Sequence, residues 1–331
     1  MTELEIREVK ESEFQAWDKF IEDSGQGTLF SASSWMEVLS SYPGGKSRLM
    51  GIFSSGQLVS GILLYERKKA FFRVMAYPPL TPFTTPVFKD SQTSRFSKIE
   101  SSQKKIIQCL DSYLRKNYSY IAMQLAPSIR DTRPFSWLGW RASVHYTYEV
   151  DLSNMAELWK KIDKDAKYEI NKAKGSDIKI AEGEDIDKLL ALYEKTFLKQ
   201  NAKPPLNKGF IRKAFKILKV KNQCRLYFAT EKNNEISGAM VVWDNKRAYY
   251  LLAASEPDTK TGANYLLLWH IIEDMSKKFS SMDLVGANIP NIIKFKREFA
   301  TDLVHYFVVE KYSSFFVKII EKIYRKLRRA Q

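Results

Sequence analysis

The chain has 331 residues, of which 44% are hydrophobic and 27% charged, a balance typical of a soluble globular protein. No apolar run reaches the roughly 18 residues of a membrane span, and the acidic, polar start MTELEIREVKESEF does not fit a signal peptide. A chain of this length usually folds as two domains of about 150 residues each.

The charge is uneven along the chain, although the total is +15. Residues 1–150 carry 19 Lys and Arg against 15 Asp and Glu, whereas residues 151–331 carry 34 against 23. A basic excess of this size predicts an anionic partner, which is a nucleic acid, a phosphorylated substrate or a lipid surface. Charge alone does not choose among these three.

The metal-binding and redox-active residue types are few and scattered. Cys109 and Cys224 are isolated thiols that fit a reducing, cytoplasmic compartment. His145, His270 and His305 lie far apart in sequence, and none has the spacing of a metal ligand. We therefore expect neither a zinc site nor a Cys/His nucleophile, and no permanently bound cofactor.

The hydrophobic periodicity spells one order of elements twice: strand, two helices, three antiparallel strands, helix, strand, helix and strand. In the first half the predicted strands and helices lie at 4–10, 13–23, 32–41, 47–53, 57–66, 70–77, 98–116, 120–126 and 140–150. In the second half they lie at 177–182, 184–200, 208–220, 224–231, 235–243, 247–254, 262–279, 282–285, a short helix holding Lys296, and 303–310. The repetition predicts two copies of one fold, over residues 1–150 and 151–313.

Five motifs resemble those of a known family, and they follow one another in its order. They are GTLFSASSWMEVL (27–39), YPPLTPFTTPVF (77–88), AKYEINKAKG (166–175), TGANYLLLWHII (261–272) and MDLVGANIPNIIKFKREFA (282–300). The element order resembles the GNAT acyltransferase fold, and its duplication resembles the FemAB-like family of peptidoglycan-bridge aminoacyltransferases and their tandem GNAT relatives. The resemblance implies an α+β fold of two GNAT-like domains with mixed, mostly antiparallel sheets flanked by helices.

The resemblance also implies an activity. FemAB-like proteins form an amide by moving an acyl or aminoacyl group to an amine of a cell-envelope precursor, a peptidoglycan or glycan component. The donor is then aminoacyl-tRNA or acetyl-CoA. This chain has Leu39 and Ala126 where peptidoglycan-type members carry a lysine and an aspartate, so their acceptor is not simply inherited. An acetyl-CoA-dependent N-acyltransferase acting on an amino sugar or other amine, and a non-catalytic tandem-GNAT scaffold, remain alternatives.

The catalytic candidates lie in the last motif. In the peptidoglycan-type members the lysine after phenylalanine stabilises the oxyanion, which here implies Lys296 with Phe295 as its packing neighbour. Oxyanion donors are typically a large catalytic term. Lys294 is expected to face water, and a solvated helix face is the alternative for Lys296 as well. Asp283 acts as a base or caps the following loop.

The donor candidates are Thr261, Gly262, Ala263 and Asn264, which open a predicted helix. Free amides and the helix dipole make such a start a natural anion site. Compared with the usual acetyl-CoA motif, Thr259 and Asn264 occupy the outer positions around Gly262, so the match is partial. An ordinary helix start explains the same residues.

The substrate-binding candidates fall into two groups. Lys167, Asn171 and Lys172 recur on one helical face and are suited to holding phosphates, although a solvated face explains them too. Trp35 and Tyr77 are suited to lining an acceptor cleft, with a plain core position as the alternative for Trp35.

The segment SFFVKIIEKIYRKLRRA (314–330) closes the sequence with an apolar stripe opposite lysines and arginines. It predicts a basic amphipathic helix over 314–331 that either lies on an anionic membrane or docks on the protein. We expect a cytoplasmic location, with peripheral contact at the inner face of the cell membrane as the open alternative. The oligomeric state is not predicted.

Overall fold

The computed structural model describes residues 3–69, 72–90, 94–199, 201–257, 261–288, 290–314 and 317–319. The chain divides into two compact units, Met1–His145 with Tyr306–Gln331, and Tyr146–His305. Two long strands, β7 and β13, run across these boundaries. Residues 141–145 of β7 and 306–312 of β13 belong to the first unit, and residues 146–151 and 302–305 belong to the second.

The first unit is built on a sheet in the order β1-β2-β3-β4-β6-β13, with β5 paired to β3. Only β4 and β6 run parallel among the pairs described for this unit. The elements of the first half of the chain are β1 (Leu4–Glu8), α1 (Phe14–Asp23), α2 (Ser33–Ser40), β2 (Gly45–Ser54), β3 (Gln57–Lys69), β4 (Phe72–Met75), β5 (Val87–Phe88), α3 (Phe96–Asn117), β6 (Tyr120–Gln124), α4 (Arg133–Ser136) and β7 (Arg141–Asp151).

The second unit repeats this plan with the strand order β7-β12-β11-β10-β9-β8. Its parallel pair is β11 with β12. The elements of the second half are α5 (Met155–Lys161), α6 (Lys164–Lys174), β8 (Lys179–Gly183), α7 (Ile186–Leu198), α8 (Lys208–Val220), β9 (Cys224–Glu231), β10 (Asn234–Trp243), β11 (Ala248–Ser255), α9 (Ala263–Met275), β12 (Ser281–Asp283), α10 (Pro290–Arg297) and β13 (Asp302–Tyr312). The predicted fold class, α+β with two GNAT-like sheets, is confirmed.

The first hairpin of each unit shows the duplication in detail. Ser55 and Gly56 join β2 to β3, and Lys232 and Asn233 join β9 to β10; all four have positive φ. Two consecutive left-handed residues make the type I′ turn, whose twist matches that of the strands it joins. In both hairpins the register shifts shortly after the turn, so the two copies share a bulge as well.

A serine–glycine pair occupies the middle of the second hairpin strand in both units, and the glycine serves helix packing. A Cβ on Gly61 would lie 2.3 Å from the ring of Trp17 in α1. A Cβ on Gly238 would lie 2.9 Å from Phe228 and 3.3 Å from Leu189 in α7. Gly61 therefore lets α1 approach the sheet closely, and Gly238 leaves room for the Phe228 ring and for Leu189 of α7.

The parallel strands of the second unit separate soon after they meet. Ala248 pairs with Met282 and Tyr249 with Asp283, after which β12 ends while β11 continues to Ser255. The divergence leaves backbone groups of both strands unpaired with each other. Such an opening between adjacent parallel strands is where α/β-type sheets commonly receive ligands.

The second unit has its own core, formed by α6, α9 and the inner face of the sheet. Ile170, Leu267, Ile271 and Phe299 are completely buried in it. None of the helices that the structure describes is long and apolar enough to cross a membrane.

The amphipathic helix predicted over 314–331 lies for the most part outside the described residues. Of its described residues, Val317 is buried in the first unit with Val74, Tyr120 and Ala122.

Candidate active site

Asp283, the last residue of β12, is a completely buried carboxylate. Its Oδ1 accepts hydrogen bonds from Thr147 Oγ1 at 2.5 Å and from the Val285 amide at 2.7 Å. Its Oδ2 has no partner among the described residues. Burial raises the pKa of Asp283 to about 6, although these two donors and Arg247 act in the opposite direction. The site therefore holds a charge that is costly to bury.

The loop after Asp283 has an unusual backbone. Val285 has φ of +53° and Gly286 has φ of +82°, and the left-handed region is strained for a β-branched residue. The Val285 amide binds Asp283, and its carbonyl oxygen accepts a hydrogen bond from Lys296 Nζ. Both polar groups of one strained residue are thus committed to the two charged side chains.

Asn288 fastens the far end of this loop to β7. Its Oδ1 accepts from the Tyr146 amide at 2.9 Å, and its Nδ2 donates to the Tyr146 carbonyl at 2.8 Å. The Ala287 amide donates to the same carbonyl at 3.2 Å. Residues 285–286 therefore form an outward bend between two fixed ends.

Lys296 enters the site from α10 and is half-buried, whereas Lys294 on the same helix is exposed. Besides donating to the Val285 carbonyl, Lys296 Nζ lies 6.0 Å from the ring centroid of Tyr250. Burial lowers the pKa of Lys296 to about 8, and the negative charge of Asp283 limits this fall. At neutral pH Lys296 is therefore still mostly protonated, although it loses its proton far more easily than an exposed lysine does.

Phe295 is partly buried against the core of the second unit and packs in an aromatic cluster. Its ring lies 5.0 Å from Tyr265 and 5.5 Å from Phe299, edge to face in both cases. Tyr265 belongs to the first turn of α9. The cluster couples the helix carrying Lys296 to the start of α9.

Glu298 is a second buried carboxylate, at 5% exposure, which the sequence reasoning did not identify. It hydrogen-bonds the Tyr265 hydroxyl, while its Oε2 lacks a partner in the described part of the chain. Burial raises the pKa of Glu298. Nothing in the sequence around it, an ordinary Lys-Arg-Glu-Phe run, signals this burial.

Arg247 and Glu149 form an ion pair close to Asp283, and this pair was also missed from sequence. Arg247 NH1 donates to Glu149 Oε2 at 3.0 Å. Glu149 stands opposite Asp283 in the β7–β12 pairing. The arginine offsets two carboxylates at once, which keeps Asp283 ionisable in spite of its burial.

Gly262, among the expected donor-binding residues, is the N-cap of α9 with φ of +73°. A Cβ there would lie 2.4 Å from the Glu169 carbonyl oxygen and 3.0 Å from the Glu169 carboxylate. Glycine is therefore required for close packing of α6 against α9. A carboxylate beside a helix start opposes anion binding there.

The other three expected donor-binding residues have mixed surroundings. Ala263 is buried, Asn264 is partly exposed, and Thr261 Oγ1 is buried without a partner in the described part of the chain. Thr259 lies outside the described residues.

The basic residues expected to bind substrate lie on α6. Lys167 Nζ donates to the Lys160 carbonyl at 2.8 Å, and Lys172 lies 3.3 Å from a Glu169 carboxylate oxygen. Asn171 is exposed between them. All three residues lie on α6, the helix whose Glu169 packs against Gly262.

Trp35 and Tyr77 belong to the first unit. Trp35 has no exposed surface, and its Nε1 donates a hydrogen bond to Thr81 Oγ1 at 2.9 Å. Trp35 is therefore a core residue that holds the proline-rich segment 77–88 in place. Tyr77 is 41% exposed with φ of +40°, and its hydroxyl donates to Glu310 at 3.1 Å. Direct contact of Trp35 with a ligand would need this core to open.

The structure thus brings Asp283, Lys296, Phe295 and the start of α9 together in the second unit. Across the described ranges, no three His, Cys, Asp or Glu side chains are placed to hold a metal ion.

Part of the second unit matches a known domain family. Residues 160–297 match the family profile described as acetyltransferase (GNAT) domain. No curated protein sequence matches the chain.

Solved structures share the fold over nearly the whole chain. FemX superposes with a TM-score of 0.64 at 12% identity, covering 92% of this chain and 96% of FemX. L-PGS from Bacillus licheniformis gives 0.56 at 12%, covering 95% and 96%. A tandem GNAT protein from the clavulanic acid biosynthesis pathway gives 0.55 at 11%, covering 94% and 99%. The resemblance to the FemAB-like tandem GNAT family is confirmed at the level of the fold.

Proposed function

The chain has the fold of a tandem GNAT acyltransferase of the FemAB-like type. We propose that it forms an amide by transferring an acyl or aminoacyl group to an amine of a cell-envelope precursor. The observation that supports this most is the placement of Lys296. A half-buried ammonium lies beside the opening between β11 and β12, with a buried carboxylate behind it.

The reaction makes one bond and breaks one. The acceptor nitrogen attacks the carbonyl carbon of the donor, and the carbonyl oxygen becomes an oxyanion. The ester or thioester bond then breaks, the leaving oxygen or sulfur takes up a proton, and the nitrogen loses one. The ammonium of Lys296, released from the Val285 carbonyl, is suited to stabilise the oxyanion. Ionised Asp283 favours the protonated lysine.

Between the two donors, aminoacyl-tRNA is favoured. Most of the excess positive charge lies in residues 151–331, and neutralising phosphates gives strong binding. Glu169 stands at the start of α9, where the pyrophosphate of a CoA donor would need open amides. Acetyl-CoA remains the second candidate because α9 still begins with a left-handed glycine beside the site.

We also propose an acceptor and a location, and the resemblance to FemAB-like proteins supports both. A cell-envelope precursor amine, reached from the cytoplasmic face of the membrane, is the acceptor class we propose. The basic sequence of residues 314–331 supports peripheral contact with anionic lipid there.

A donor screen tests the proposal. The protein is titrated calorimetrically with acetyl-CoA, CoA and a set of aminoacyl-tRNAs at low and moderate salt. We expect salt-sensitive binding of an aminoacyl-tRNA. CoA binding without a tRNA response would establish the second candidate, and binding of neither donor would leave a non-catalytic scaffold.

A further inference from the structure

Tyr168, in the middle of α6, exposes 68% of its surface. The apolar positions of this helix, Ala166, Ile170 and Ala173, are buried in the core of the second unit. Because residues four apart share a helix face, Lys164, Tyr168 and Lys172 form one exposed row. We call this row the α6 face.

The α6 face lies in a basic stretch of the chain. Over residues 160–174, six lysines stand against three carboxylates.

Lys164 itself forms no ion pair or hydrogen bond within the described part of the chain, whereas Lys172 pairs with Glu169. One uncommitted cation thus lies one turn from an exposed aromatic ring.

A lone aromatic ring between cations fits single-stranded nucleic acid better than a lipid surface. Every base offers a π-face to a tyrosine, and the neighbouring phosphates fall within reach of lysines on either side. A bilayer would instead need a contiguous apolar face. The apolar residues of α6 are turned into the core, so Tyr168 has no exposed apolar neighbour on its own helix.

The α6 face connects to the candidate site through packed residues of the same unit. Glu169, next to Tyr168, abuts Gly262 at the start of α9. Tyr265, one turn further, packs edge-on against Phe295, the neighbour of Lys296. A nucleic-acid strand bound on α6 would therefore lie beside α9 and α10, the helices that position Lys296.

We propose that the α6 face binds the single-stranded end of an RNA, with Tyr168 stacked on a base and Lys164 and Lys172 on the flanking phosphates. This inference rests on the proposed function in taking that RNA to be the acyl donor.

Fluorescence anisotropy on the full chain tests it. The probe is a labelled single-stranded RNA of about 12 nucleotides ending in CCA, within the length that such sites cover. Tyr168→Ala should weaken binding about 5- to 150-fold, the range measured for loss of one stacked base. Tyr168→Phe should bind as the wild type does. Lys164→Ala should reduce the slope of log affinity against log salt by about 0.7.

Two matched controls come from elsewhere in the chain. Trp137→Ala removes a 56% exposed aromatic of the first unit, and Lys213→Ala removes an exposed cation of α8. Both should leave RNA affinity unchanged. Equal affinity of wild type and Tyr168→Ala, or no binding of the RNA at all, would overturn the proposal.

A second arm separates RNA from lipid. Vesicles of phosphatidylcholine with phosphatidylglycerol replace the RNA, and we expect the α6 variants to bind them as the wild type does. Vesicle binding lost in these variants, with no RNA binding, would overturn the proposal in favour of a membrane. A Lys296 variant that still transfers acyl groups would instead refute the proposed function and leave these binding results standing.

Discussion

At the residue scale, the central feature is the coupling of Asp283 and Lys296 through Val285. The carboxylate and the ammonium both bind the backbone of one strained residue. Burial shifts both pKa values toward neutrality, to about 6 for the acid and about 8 for the base. Between these values the site holds an ionised Asp283 and a protonated Lys296, and the proposed oxyanion stabilisation uses the protonated lysine.

This arrangement predicts that kcat/KM falls above about pH 8, as Lys296 loses the proton that the proposed oxyanion stabilisation needs. In Asp283→Asn this basic limb should move to lower pH, because the charge of Asp283 raises the pKa of Lys296. A basic limb unchanged in the variant would show that the two groups are not coupled.

The burial of Asp283 also predicts a stability that depends on pH. Its folded pKa of about 6 exceeds its unfolded value, so its contribution is present in full below about pH 4 and is lost as pH rises through 6. The difference corresponds to about 3 kcal/mol. Urea unfolding from pH 4 to 7 should show the wild type losing about this much relative to Asp283→Asn. Parallel curves for the two proteins would contradict the prediction.

The sequence pointed to Lys296, Phe295 and Asp283 because they stand in a recognisable motif. It could not reveal their environment. The left-handed Val285, the ion pair of Arg247 with Glu149 and the burial of Glu298 depend on contacts between residues distant in sequence. No local pattern records them.

At the element scale, the approach of α6 to α9 depends on one glycine. Gly262→Ala would force a side chain into a left-handed residue and against the Glu169 carbonyl. We expect a loss of about 1 to 3 kcal/mol of unfolding free energy, measured in denaturant.

Gly175→Ala is the matched control for this glycine. It ends α6 at φ of −81°, and its new Cβ would meet nothing closer than 3.6 Å. Its stability should stay at or slightly above the wild type. If Gly262→Ala is equally harmless, the close packing of α6 and α9 is not what fixes this glycine.

Element types followed from periodicity more securely than element ends. The strand predicted at 224–231 forms as predicted, since alternation and turn residues bound it on both sides. The strand predicted at 282–285 ends at Asp283 instead, because Val285 turns left-handed. The seven-residue α5 was not predicted, since so short a segment shows less than two periods.

At the scale of the whole molecule, β13, the last strand that the structure describes, completes the first unit. Val308 to Tyr312 of β13 pair with β6, and Val308 and Val309 are buried there. Lys311 also reaches the buried Asp111 at 2.7 Å. The expected domains 1–150 and 151–313 rest on local pattern, which cannot tell which sheet a strand joins.

Deleting residues 306–331 should therefore destabilise the first unit. Two buried valines alone correspond to about 3 kcal/mol or more. Hydrogen exchange should show lost protection in β6, with β9 and β10 unaffected. A chain ending at residue 319 serves as the control, and in it β6, β9 and β10 should all keep their protection. Full protection of β6 in the longer deletion would show that β13 contributes little to that sheet.

The most direct test of the whole account compares two lysines of one helix. With a donor and amine that support transfer, Lys296→Met should lower kcat about 100- to 1,000-fold, the loss typical of one oxyanion donor. Lys294 is exposed two residues away, and the kcat of Lys294→Met should stay within about twofold of the wild-type value. Equal rates in the two variants would contradict the assignment of the second unit as a catalytic site built around Lys296.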